Sequence, residues 1–150
     1  MPGPFHLQPL LDLANTRMDE AAKKLGELIS GENECQRKLE LLENYRAEYQ
    51  ERFQEAARNG IGPDAWRNFS EFIARIDQAI ATQRAAVAES RQATIGGQQA
   101  WLAQRNKVKA FDTLSQRHQA EQVRREQREE QRQSDEHAAK SHRDREPGED

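Results

Sequence analysis

Residues 59–63 read Asn-Gly-Ile-Gly-Pro, and this short stretch sets the predicted topology of the chain. Gly60 can adopt the left-handed conformation that ends a helix, and Pro63 cannot continue the hydrogen-bond ladder of the residues before it. Pro63 and Asp64 instead suit the first turn of a new helix. Because the linker is so short, the helices on its two sides are predicted to be antiparallel neighbours.

Upstream of this turn, apolar residues recur at alternating spacings of four and three. We call these positions the first seam stripe: Leu7, Leu11, Ala14, Met18, Ala21, Leu25, Leu28, Glu32, Cys35, Leu39, Leu42, Arg46, Tyr49, Phe53 and Ala56. All except Glu32 and Arg46 are apolar or aromatic. A seven-residue repeat keeps such a stripe facing one partner helix in a left-handed coiled coil. The first helix is therefore predicted over about residues 8–58.

Downstream of the turn, the same spacing returns. The second seam stripe comprises Trp66, Phe69, Ile73, Ile76, Ile80, Gln83 and Val87, the weaker positions Ser90, Thr94 and Gly97, and then Trp101, Val108 and Phe111. Adjacent glycines at 96 and 97 predict a soft or bent point, since each costs about 1 kcal/mol relative to alanine in a helix. The second helix is predicted over about residues 64–140, the turn over 59–63 and a disordered tail over about 143–150.

The composition fits this architecture. Charged side chains make up 33% of the 150 residues and hydrophobic ones only 35%, so the chain can bury little apolar surface. We predict one all-α domain over residues 1–150, a long antiparallel two-helix coiled-coil hairpin. A net charge of −3 gives no general attraction to nucleic acid, and no apolar run is long enough to cross a membrane.

Motifs of catalysis and metal binding are absent from the sequence. There is no phosphate-binding glycine loop, no nucleophile elbow and no His-Glu-x-x-His helix, so we expect no enzyme, no catalytic residue and no cofactor. The four histidines are scattered in polar sequence, which argues against a metal site. Cys35 is a single cysteine and is expected to be a small seam residue, with no intramolecular disulfide.

Two groups of residues are not explained by the seam. Leu41, Tyr45 and Phe72 lie one position off the stripes near the turn, where they either anchor a partner or only broaden the hairpin core. Farther along, four arginines alternate with glutamates: Arg124, Arg125, Arg128 and Arg132. They could form a phosphate-binding surface, a solvated ion-paired face or a protein-docking face.

Several short motifs make the chain resemble the FliJ family of the flagellar type III export apparatus. They are Tyr-Arg-Ala-Glu-Tyr at 45–49, Gly-Ile at 60–61, Trp-Arg-Asn-Phe at 66–69 and Phe-Ile at 72–73. The resemblance implies a fold similar to the coiled coil of the rotary ATPase gamma subunit. It also implies a general export chaperone and ATPase cofactor, working with a hexameric export ATPase, that ATPase's regulator, substrate-specific chaperones and a membrane export gate.

The resemblance also implies site residues. The family's gate-binding positions correspond to Lys38, Leu42, Tyr45, Tyr49, Phe72, Ile76, Ala79 and Gln83. Lys38 and Gln83 depart from the familiar glutamine and histidine, and the aromatic centre coincides with the off-stripe group, which favours the partner-anchor interpretation. The gamma-subunit likeness points to the N-terminal residues and the second helix beyond about Ala110 as the ATPase end. The candidate residues there are Arg117, Arg124, Arg125, Arg128 and Arg132.

These implications define the functional hypotheses. The first is an export adaptor in the cytoplasm, peripherally associated with the inner membrane at the export apparatus. The second is a structural coiled coil that associates with itself as a parallel helix, against which the break at 60–63 argues. The third is a helical module that binds nucleic acid, whose affinity would fall steeply with salt.

Overall fold

The computed structural model describes residues 4–145, which form two helices. Helix α1 spans Gln8–Asn59 and helix α2 spans Pro63–Arg145, and no strand occurs within the described residues. The two helices pack against each other. The predicted all-α fold of two long paired helices is thereby confirmed.

The turn between the helices has the geometry that its glycines predict. Gly60 has a φ of 85°, the left-handed cap conformation, and its amide donates to the Ala57 carbonyl at 3.3 Å. The Gly62 carbonyl accepts the first hydrogen bond of α2, from the Trp66 amide at 3.0 Å. Asn59 and Pro63 belong to the helices, so the linker consists only of residues 60–62.

The far end of α2 differs from the prediction. The helix continues to Arg145, and residues 143–145, predicted to be disordered, are helical. Basic side chains in the last turn lie where the helix dipole is negative, which favours this extension. The remainder of the predicted tail, residues 146–150, lies outside the described residues.

The chain forms two compact units, and both helices contribute to each. The turn unit comprises Met18–Ala103, and the terminal unit comprises Met1–Arg17 with Gln104–Asp150. The core of the turn unit consists of Leu39, Ile76, Ile80 and Val87, all no more than 8% exposed. In the terminal unit, Leu11 and Ala14 are buried.

The seam stripes agree closely with burial. Every position of the first stripe is buried or half-buried, including the polar exceptions Glu32 and Arg46. On the second stripe Trp66, at 53% exposed, is the one position that is not. Trp66 lies in the first turn of α2, where few residues of either helix are available to cover a ring of its size.

Polar seam positions in the turn unit have partners on the opposite helix. The Gln83 amide donates to the Cys35 carbonyl at 2.9 Å, and a Glu32 carboxylate oxygen lies 3.6 Å from the Arg91 guanidinium. The Thr94 hydroxyl lies 3.4 Å from the Leu28 carbonyl and 3.1 Å from the Ser90 carbonyl within its own helix. These contacts limit the cost of placing polar groups in the seam.

The paired glycines have a packing role that the sequence does not reveal. Helix α2 runs through both positions without interruption. A Cβ atom added to Gly97 would lie 2.7 Å from a methyl group of Leu28, whereas one added to Gly96 would meet nothing within 4 Å. Gly97 therefore gives space to a leucine of α1, and Gly96 does not serve this purpose.

We predict that these two glycines respond differently to alanine. Gly96→Ala should raise the free energy of unfolding by about 1 kcal/mol, the helix-propensity difference. Gly97→Ala should gain less or lose stability, because Leu28 must move to admit the new methyl group. Urea unfolding followed by circular dichroism measures both. Equal gains would contradict a close approach at Gly97.

Candidate partner-binding surface

Six aromatic side chains near the turn form a continuous series of ring contacts between the helices. We call this set the aromatic ladder: Tyr45, Tyr49 and Phe53 on α1, with Trp66, Phe69 and Phe72 on α2. Heptad spacing places two rings of each helix on the seam stripes, and Tyr45 and Phe72 extend the series from one position off the stripes. Ring centroids across the pair are 4.5 Å apart for Tyr49 and Phe72, and 4.9 Å apart for Phe53 and Trp66. Separations of this size allow favourable tilted and edge contacts.

The ladder is exposed at its two ends. Trp66 is 53% exposed and Tyr45 is 44% exposed, whereas the rings between them are half-buried. Tyr45 contacts Phe72 edge-on at 6.2 Å and leaves much of its remaining surface to solvent. Packing thus holds this ring in place while a large part of it stays accessible.

The three off-stripe residues occupy different environments. Leu41 is 68% exposed and Tyr45 is largely open, but Phe72 is half-buried and packs against the core of Leu39, Ile76, Ile80 and Val87. The alternatives left open by the sequence therefore apply to different residues: Phe72 broadens the core, and Tyr45 is a surface ring. Tyr45 and Phe72 each lie one position before a stripe residue, yet they are not equally buried. The side chains around the two rings differ.

The eight positions that the resemblance predicts to contact the gate all lie in the turn unit, with unequal exposure. Ile76 is buried, and Leu42, Tyr49 and Phe72 are half-buried against the core. Lys38, Tyr45 and Ala79 are exposed. Gln83 is half-buried, with its amide engaged by the Cys35 carbonyl. Tyr45 is therefore the large apolar side chain of this set that is most available to a partner.

An ion-paired groove beside the ladder was missed by the sequence analysis. Its charged members are Glu43, Arg46, Asp77 and Arg84. Arg46 donates to both carboxylate oxygens of Asp77, the second contact being 3.4 Å, and Arg84 lies 3.4 Å from Glu43. The hydrogen bond from Arg46 holds the pKa of Asp77 below its ordinary value. Charges flanking an apolar stripe at heptad offsets could have predicted these pairs.

The arginines assigned to the ATPase end lie on an exposed stretch of α2 in the terminal unit. Arg125 pairs with Glu121 at 3.0 Å and Arg132 with Glu129 at 2.8 Å, both within one helical turn. The hydrogen bond from Arg132 to Glu129 raises the pKa of Arg132. Arg117, Arg124 and Arg128 are exposed. This geometry has the local ion pairs of a solvated face, which a protein partner could also contact.

Within residues 4–145, no group of three or more histidine, cysteine, aspartate or glutamate residues is arranged to hold a metal ion. Neither described helix has a segment apolar enough, over sufficient length, to span a membrane.

Known proteins resemble this chain over most of its length. The family described as flagellar FliJ protein matches residues 4–147. The chain belongs to the FliJ family. The flagellar FliJ protein of Salmonella typhi is 30% identical over 135 residues, covering 90% of this chain and 92% of that protein. The flagellar FliJ protein of Escherichia coli (strain K12) is 28% identical over 111 residues, covering 74% and 76%.

A solved structure supports the fold of this FliJ-family chain. The structure of a putative YscO homolog from Chlamydia trachomatis superposes with a TM-score of 0.53 and 17% identity, covering 94% of this chain and 96% of that one. Membership of the FliJ family associates the chain with flagellar type III export. The resemblance based on the aromatic and glycine motifs is therefore confirmed.

We predict that alanine substitutions distinguish the buried residues of this surface from the exposed ones by their effect on stability. Ile76→Ala should lower the free energy of unfolding by about 2–5 kcal/mol, as expected for truncation of a buried isoleucine. Phe72→Ala should also be destabilising, whereas Tyr45→Ala should change stability little because the ring is largely exposed. Chemical denaturation measures all three variants. If Tyr45→Ala costs as much as Ile76→Ala, Tyr45 is a core residue.

Proposed function

We propose that the chain is a non-catalytic adaptor of flagellar type III export that binds the membrane export gate through the turn unit and the export ATPase through the terminal unit. The observation that carries the proposal is the exposure of Tyr45 at the end of a packed aromatic ladder. Tyr45 is also one of the eight positions that the sequence resemblance to the family assigns to gate contact. Substrate-specific chaperones and the ATPase's regulator are further partners, and the site of action is the cytoplasmic side of the inner membrane.

The physical basis of gate binding is a small, preorganised apolar patch. Tyr45 contacts Tyr49 and Phe72, so little rotamer freedom is left to lose when a partner covers it. Half-buried Leu42 lies beside it and is held against the core. Tyrosine is enriched among residues that dominate binding energy, because it combines a large apolar area with a hydroxyl.

Packing between the helices also explains why a buried residue belongs to the eight positions matched to gate contact. Ile76 is 5% exposed, so it supports the position of Phe72 and Tyr49 from beneath the surface. Lys38 and Ala79 are exposed at the margins, and Lys38 lies 4.0 Å from Glu34 in a weak surface pair. We assign direct contact to the exposed and half-buried members and a supporting role to Ile76.

For the ATPase, we propose contact through the exposed arginine-rich stretch of α2. The intrahelical ion pairs of Arg125 with Glu121 and Arg132 with Glu129 are solvent-exposed and therefore weak, so a partner's carboxylates can replace the two glutamates. Contacts of this kind are weak one by one and sensitive to salt. They suit an element that must engage and release repeatedly.

The rival functions receive less support. Parallel self-association needs one uninterrupted stripe, whereas the left-handed Gly60 turn sends the chain back to pair with itself. Nucleic-acid binding needs arginines free of local carboxylates, and two of the five candidates are already paired along the helix.

We predict that Tyr45→Ala weakens binding to the purified cytoplasmic part of the export gate by about 2 kcal/mol, or roughly 30-fold. Ile29→Ala is the matched control, since Ile29 is 41% exposed on the same helix but lies outside both the matched set and the off-stripe group. Isothermal titration calorimetry gives both affinities. Equal losses for the two variants would mean that the assigned surface is not the specific contact.

For the other partner, we predict that deleting residues after Ser115 lowers stimulation of the export ATPase but leaves gate binding intact. Deletion after Gln133 is the control, because it keeps all five candidate arginines and should retain stimulation. Steady-state ATP turnover with each variant provides the measurement. Loss of gate binding with unchanged turnover would show that the two ends are assigned the wrong way round.

A further inference from the structure

An apolar groove lies in the terminal unit, and its lining includes none of the candidate arginines or gate-matched residues named above. It runs between the start of α1 and the segment of α2 that follows Gln104, and its volume is about 270 Å³. Leu10, Leu13, Ala14 and Phe111 provide its apolar lining. Among these, Ala14 is a buried seam residue, so the groove is floored by the seam itself.

Leucines along this groove are left uncovered by the chain's own packing. Leu10 is 46% exposed and Leu13 is 44% exposed. Leu114 is 40% exposed and follows Phe111 by three residues, which places both on one face of α2. The two exposed leucines that line the groove, together with Leu114 beyond its lining, form a larger apolar surface than isolated surface leucines do.

The basic side chains at this groove lack ion-pair partners in the part of the chain that the structure describes, unlike the arginines beside the seam of the turn unit. Arg17 from α1 and Lys107 from α2 line the groove, and neither forms an ion pair with any carboxylate among residues 4–145. The comparable arginines of the turn unit do have such partners on the opposite helix. These are Arg46 with Asp77, Arg84 with Glu43, and Arg91 with Glu32.

We propose that this groove binds an amphipathic helix of another protein, whose leucine-rich stripe is flanked by aspartate or glutamate. A helix laid between α1 and α2 would cover the exposed leucines, and its acidic flanks would meet Arg17 and Lys107. Each cation comes from a different helix of the groove, so one acidic residue on each side of the apolar stripe completes the match. The inference does not depend on the export function proposed above.

A second copy of this chain is a poorer occupant. After Val123 the hydrophobic residues are only Ala138 and Ala139, so this last part of the sequence offers no leucine-rich acidic stripe. The stripes of both helices are already used in the seam. Two copies that met through the same groove face would also bring their unpaired cations together, which is unfavourable.

The test uses the full chain and two fluorescent helical peptides with the same leucine stripe. One peptide carries glutamate on both sides of the stripe, and the other carries lysine at the same positions. Fluorescence anisotropy should show binding of the acidic peptide at least about tenfold tighter than the basic one, since opposite charges assist docking and like charges oppose it. The preference should shrink as salt is raised.

Variants locate the binding site. Leu13→Ser should lower the affinity for the acidic peptide by about tenfold or more, because the substitution removes exposed apolar area from the groove without changing the buried core. Leu41→Ser is the matched control in the turn unit and should leave affinity unchanged. The double variant Arg17→Glu/Lys107→Glu should reverse the preference and favour the basic peptide. Circular dichroism verifies that each variant remains helical.

Several results would overturn the proposal. Equal affinity for the two peptides, no binding of either, or binding insensitive to Leu13→Ser would each exclude an acidic helix at this groove. Sedimentation that reveals a dimer dissociated by Leu13→Ser would identify a second copy as the occupant. Neither the ATPase nor the gate takes part in these measurements, so their outcome is separate from that of the adaptor proposal.

Discussion

The structure depends on one interaction, the packing of a heptad stripe on α1 against a matching stripe on α2. In the turn unit this contact buries Leu39, Ile76, Ile80 and Val87, and few other residues of this highly charged chain are available to bury. The positive φ of Gly60 returns the chain so that the stripe meets a partner from the same molecule. Since the described residues 4–145 contain no third layer of structure over these helices, nearly all of their apolar stabilisation must come from this contact.

Much of the fold could be predicted because heptad spacing and turn chemistry are local features of sequence. The whole first stripe is at least half-buried, and even Glu32 and Arg46 occupy seam positions, paired with Arg91 and Asp77. Contacts between the helices could not be predicted in this way, because a linear pattern does not contain them. Gly97 makes room for Leu28, a packing role that the predicted soft point does not include.

The candidate sites were predicted less completely for the same reason. Spacing identified Tyr45 and Phe72 as off-stripe residues but could not show that one is open and the other packed on the core. The groove at Leu13 and Lys107 was missed altogether, because it joins residues far apart in sequence whose stripe positions look ordinary. In both units, the exposed rings and leucines lie beside the packed seam, which limits the conformations of their side chains. A narrow core can in this way support the two surfaces that we propose to bind partners.

The central claim, that α1 pairs with α2 of the same chain, can be tested by cross-linking. A carboxylate oxygen of Glu43 on α1 lies 3.4 Å from the guanidinium of Arg84 on α2. The double variant Glu43→Cys/Arg84→Cys in a Cys35→Ala background therefore places two thiols within reach of a short bismaleimide. Pairing within one chain should give a cross-linked product with the mass of one chain, in a yield that dilution does not change. Cross-linking only between chains, in a yield that falls on dilution, would contradict it.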